Sequence, residues 1–153
     1  MKIWLALFAL LAPAAASAAD NVSLTSKVMV ERVKPGPDGK AVTVREEPGV
    51  VTPGDKLVVL LNYRNKGAEP ATGFTLTNPI PSAVAFTGTD DKSASVSVDG
   101  GKTWGPLGSL KVVAADGTSR PAVAADVTHI RWSFSQPIAA GSGGELSFRG
   151  IVE

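Results

Sequence analysis

The chain of 153 residues contains no cysteine and a single histidine. Thiol catalysis, cysteine-ligated zinc, iron–sulfur clusters and lipid attachment at cysteine are therefore excluded. His129, alone, makes neither a metal cluster nor a catalytic triad. An excess of one charge is also missing, since 15 basic side chains face 14 acidic ones. That balance leaves no electrostatic footprint for nucleic acid or an anionic membrane. Beyond the first 20 residues there is no long apolar run, and no helical stripe exceeds about two turns. A helical bundle is excluded on that ground. Neither an internal repeat nor a linker interrupts the chain, so one domain is expected.

The first 20 residues carry an address. Met1-Lys2 supplies a positive charge, residues 3–12 (IWLALFALLA) are uninterruptedly apolar, and Pro13 breaks any helix. Ala16-Ser17-Ala18 then offers small residues where a signal peptidase reads. The pattern predicts a secretory signal peptide over residues 1–18, cleaved after Ala18, with the domain over residues 19–153. A membrane anchor fits worse, because the apolar stretch is alanine-rich, holds a proline and falls short of about 20 residues. A periplasmic or secreted protein with no transmembrane segment in its mature chain is expected.

From there, 16 glycines and 11 prolines punctuate period-two alternation. Strands are predicted over residues 22–33, 41–46, 57–63, 74–77, 83–87, 93–98, 107–113, 128–134 and 145–152. Residues 57–63 (LVVLLNY) are the most apolar, which predicts a central strand covered on both faces. Asn78-Pro79-Ile80-Pro81 is expected to stop the strand before it, since proline gives no amide hydrogen to a ladder. In the strand at 128–134, Ile130, Trp132 and Phe134 share one face and His129, Arg131 and Ser133 the other. Turn signals about every 8–12 residues predict an antiparallel β-sandwich.

The run VVTPGDKLVVLLNYRNKGAEPATGFTLTNPIPSAVAF carries a recurring set of turns. Pro53-Gly54-Asp55 precedes the apolar strand, and Asn65-Lys66-Gly67 and Pro70-Ala71-Thr72 follow it. This set resembles the conserved repeat domain of bacterial and archaeal envelope proteins, known as domain of unknown function eleven. The resemblance implies an immunoglobulin-like β-sandwich at the cell envelope and no common activity. Each residue also has a local task. Gly54 and Gly67 are expected to take turn conformations closed to other residues, and Asp55 and Asn65 to bond backbone two residues on.

Ser97-Val98-Asp99-Gly100-Gly101-Lys102-Thr103-Trp104 matches S-x-D-x-G-x-T-W. It resembles the Asp-box, the repeated hairpin signature of sialidases and other propeller proteins. One copy in a chain of this length builds no propeller of four or more blades. Ser97, Asp99, Gly101, Thr103 and Trp104 are accordingly read as a structural turn. Asp90, Asp91 and Asp99 lack the spacing of a calcium loop. No catalytic, cofactor-binding or metal residues are assigned, and no cofactor is expected.

Three classes of function follow. The first is a non-enzymatic envelope module binding a protein or glycan through its end loops. Residues 113–127 (VAADGTSRPAVAADV) are the favoured loop, with Asp116, Gly117, Arg120 and Pro121 as contacts. The second is a structural subunit that self-assembles by donating its first strand, although pairing within its own sandwich is the commoner arrangement. The third, least favoured, is a small glycan-acting hydrolase using paired carboxylates.

Overall fold

The computed structural model describes residues 21–153. The expected leader and its cleavage point lie outside them. The strands are β1 (Val22–Pro35), β2 (Ala41–Glu46), β3 (Lys56–Asn65), β4 (Thr75–Pro79), β5 (Val84–Gly88) and β6 (Ala94–Ser97). They continue with β7 (Lys111–Val113), β8 (Ser119–Pro121), β9 (His129–Ser133) and β10 (Gly143–Val152). A five-stranded sheet runs β2-β1-β3-β10-β5, a three-stranded sheet runs β4-β9-β6, and β7 pairs with β8 alone. Every pairing is antiparallel. The protein is an all-β antiparallel sandwich. Among the described residues no helix is long and apolar enough to cross a membrane.

Alternation builds the core. Val59 and Leu61 of β3, Leu146 and Phe148 of β10, and Phe86 of β5 face inward from the larger sheet. Leu76, Val96, Ile130 and Trp132 meet them from the smaller one, with Val127 closing the cluster. Burial of each large side chain contributes about 1.5–3 kcal/mol. As its composition predicts, β3 sits in the middle of its sheet, and Leu57, Val58, Val59 and Leu61 are all buried. The smaller sheet does not extend over β1 and β2. Val30 is buried there, while Leu24, Val28 and Val42 of the same face stay exposed.

The first strand pairs within its own sheet, along β3 from Val22 to Glu31. Its other edge meets β2 only at residues 30–35. Three sequence expectations need correction. The strand expected to end at Thr77 runs on through Asn78 and Pro79. Since β4 is an edge strand, Pro79 lacks an amide hydrogen only on the open side, and Ile80 N–H still reaches Thr128 O at 2.8 Å. The strand expected over residues 107–113 splits into a 3-10 turn, Leu107–Ser109, and the short β7. The loop expected over residues 113–127 is largely a β-hairpin arm, because Ser119–Pro121 pairs back on Lys111–Val113.

Candidate functional site

The turn at residues 97–104 is closed by a dense set of hydrogen bonds. Val96 and Gly105 exchange backbone bonds at 2.9 and 3.1 Å, which sets the hairpin's base. Asp99 Oδ1 accepts from the Lys102 and Thr103 amides at 3.1 and 2.9 Å and from Ser97 Oγ at 2.7 Å. Asp99 Oδ2 accepts from Thr103 Oγ1 at 2.7 Å. The Thr103 amide, then its hydroxyl, then Ser97 hold the Asp99 carboxyl far below its ordinary range. Gly101 has φ +88°, closed to residues with a β-carbon. Trp104 folds back and donates Nε1–H to Gly101 O at 2.8 Å. All five sequence-assigned residues of this motif therefore meet in one turn, each with a local partner.

The second motif divides into two stations. Thr52 O accepts from Asp55 N–H at 3.0 Å across Pro53-Gly54, with Gly54 at φ +94°. Asp55 does not bond two residues on. Its Oδ2 accepts from Thr52 N–H at 2.9 Å, three residues back, because its side chain points into the turn. Asn65 is fully buried and does bond as expected, Oδ1 accepting from Gly67 N–H at 2.9 Å. Its Nδ2 donates to the carbonyls of Glu69 at 2.8 Å and Ile138 at 2.9 Å. One side chain thus joins the loop leaving β3 to the loop entering β10. Gly67 is not in a left-handed conformation. Its constraint is space, since an added Cβ would lie 2.9 Å from Asn21 Cβ.

The candidate binding residues lie on the β7–β8 arm. Asp116 and Gly117 form its tip, where Asp116 Oδ1 accepts from Thr118 N–H at 2.9 Å and Oγ1 at 2.6 Å. Ala114 and Thr118 close the turn through a 2.8 Å backbone bond. At the base, Arg120 donates both Nη groups to Asp126 at 2.7 and 2.6 Å. Asp126 also accepts from Val123 N–H at 2.8 Å. Arg120 first, then the Val123 amide, lower the Asp126 carboxyl to about 2. Residues 113–121 are all exposed, and Pro121 sits beside the base in register with Lys111.

A cluster that the sequence left scattered forms on the outer face of β4-β9-β6. Arg131 lies 3.7 Å from the centroid of the Trp104 ring, and His129 meets that ring edge-on at 6.3 Å. Arg131 Nε–H donates to Thr77 Oγ1 at 3.1 Å. The alternation of β9 already turned Arg131 and His129 outward. What placed Trp104 above them is the register, in which small Ser95 lies opposite Arg131.

Several other acidic groups are committed to structure. Asp90 takes a bidentate bond from Arg149 at 2.8 Å, and Asp91 accepts from Ser93 N–H and Oγ. Glu31 faces Arg45 at 3.2 Å and Arg149 at 3.8 Å. Glu47, Asp55, Asp90, Asp99, Asp116 and Asp126 all have lowered carboxyl pKa values. Among the described residues no three His, Asp or Glu side chains converge as a metal site. No family model, curated protein or solved structure matches the chain.

Proposed function

We propose that the protein is an exported, non-enzymatic envelope module that binds a protein or glycan partner through the β7–β8 arm. One observation carries this reading: the arm is exposed over residues 113–121 yet fixed at both tip and base. A segment ordered before binding loses less conformational entropy on association than a mobile loop does. The signal-peptide pattern and the resemblance to envelope repeat domains support the address.

The arm can be removed cleanly. Ala122 N–H already donates to Leu110 O at 3.0 Å, so Asn-Gly in place of residues 111–121 closes a β-turn there. The variant is expected to stay folded, with at most the small loss of the exposed Arg120–Asp126 pair, and to lose crosslinking to envelope components. Unchanged crosslinking by a folded variant would overturn the reading.

A second reading, a self-assembling subunit, is favoured by the open edge of β1 at residues 22–29. β1 is paired in its own sheet, so here assembly adds edge to edge and needs no donated strand. A twofold axis at Ser26 would set exposed Leu24 of one copy against Val28 of the other. Light scattering across concentration tests this, with Leu24→Lys expected to abolish any dimer. A monomer at all concentrations overturns it.

A further inference from the structure

Six arginines whose surroundings differ sharply lie in the described strands β1, β2, β3, β8, β9 and β10. Arg32, Arg45, Arg120 and Arg149 each have a carboxylate partner. Arg64 and Arg131 have none among the described residues, and of these two Arg64 is exposed, whereas Arg131 is partly buried and held at two points. Thr77 takes its Nε–H, and Trp104 lies against the guanidinium plane. Those two contacts fix the orientation of the fork and leave Nη1 and Nη2 without acceptors among the described residues. His129 meets the same indole edge-on, its Nδ1 engaged with Thr128 Oγ1 at 3.0 Å.

The surroundings narrow the ligand. Outward positions of the three strands carry Thr75, Thr77, Ser95 and Ser133 in register around Arg131. The face offers hydroxyl donors and acceptors around one fixed cation, and its outward strand positions hold no acidic side chain. A stacked guanidinium recognises planar oxyanions through paired hydrogen bonds. Its attraction to the indole holds it in place without a carboxylate partner. Short hydroxyls on a flat surface match a sugar's hydroxyls and provide no apolar pocket for a peptide side chain.

We propose that the outer face of β4-β9-β6 binds a carboxylate-bearing saccharide. Arg131 grips the carboxylate, Thr77 and Trp104 hold that arginine, and His129 flanks the sugar ring. The site uses none of the residues of the β7–β8 arm.

The test is a nitrogen-15 NMR titration of the full-length chain, expressed with its leader and purified as the cell processes it. Trigalacturonate is the probe, with galactotriose and triglutamate as controls. Trigalacturonate is expected to shift the Trp104 indole and Arg131 Nε–H signals saturably while the buried Trp132 indole stays still. Galactotriose should bind about tenfold more weakly or not at all. Arg131→Lys keeps the charge but loses the fork, so affinity should fall about tenfold with the Trp132 signal at its native position. No saturable shift, or equal affinity in a folded Arg131→Lys variant, overturns the proposal. Triglutamate binding as tightly as trigalacturonate overturns its saccharide part. Because the arm-excision variant leaves this face intact, crosslinking lost there fails or succeeds separately from this titration.

Discussion

Asn65 offers the sharpest test of how the two loops at one end of the sandwich are held. Its side chain is fully buried and makes three hydrogen bonds, to Gly67 N–H, Glu69 O and Ile138 O. A net contribution near 1 kcal/mol for each gives about 3 kcal/mol lost in Asn65→Ala, and stranded buried carbonyls add to it. For a domain of this size that is a fall of roughly 12 °C in Tm. Asn65→Asp should be worse at neutral pH. It keeps the volume but places a carboxylate oxygen, without a donor, against two carbonyls in a buried site. Burial raises the folded-state pKa of such an aspartate above its unfolded value. The variant should therefore regain stability as pH falls and its carboxyl protonates, the reverse of a salt-bridged aspartate. Urea unfolding at pH 7 and pH 4, followed by tryptophan fluorescence, measures both effects. An alanine variant within about 1 kcal/mol of the parent would refute the assigned role. So would an aspartate variant as stable as the parent at pH 7.

Other outcomes follow from the same geometry. Gly143→Ala should cost about 2–3 kcal/mol or more, because an added Cβ would lie 2.2 Å from the Tyr63 carbonyl oxygen. Gly108→Ala, with nothing within 4 Å, should be neutral in the same urea titration, and equal losses would refute the packing argument. The Asp126 carboxyl should titrate at about 2 by carbon-13 NMR, below its ordinary 3.8. A depressed folded pKa means its contribution is present above the unfolded value and lost as pH falls through about 2. A midpoint near the ordinary value would remove the Arg120 pair from solution. Asp99→Ala should release the Lys102 and Thr103 amides to fast hydrogen exchange, since both donate to that carboxylate. Unchanged protection would show that the turn holds without it.

How far the sequence reached depends on whether each cause was local. Prolines and glycines between alternating apolar residues placed most strands within a few positions, and the apolar run in β3 identified the central strand. The turn at residues 97–104 was legible because the side-chain bonds of Ser97, Asp99, Thr103 and Trp104 all close within eight residues. Asp55 was misplaced by direction, and Gly67 by mechanism, since its crowding comes from Asn21. Only the β8 half of the arm was read as loop, because Ser119–Pro121 is three residues long and set among alanines, whereas β7 fell inside the strand predicted over residues 107–113.

Periodicity and turn chemistry are short-range, and by themselves they determined the all-β class, the inward face of β9 and the closed turn of Asp99. Tertiary structure alone decided what those strands meet. Register put Trp104 over Arg131, and the shortness of β2 left residues 22–29 with an open edge. Packing of the smaller sheet over β3, β10 and β5 left Leu24 and Val28 in solvent. Folding also joined Asn65 to Ile138, which lies 73 residues along the chain. Contacts at that separation depend on how sheets cross and stack, and no local pattern of side chains encodes that choice.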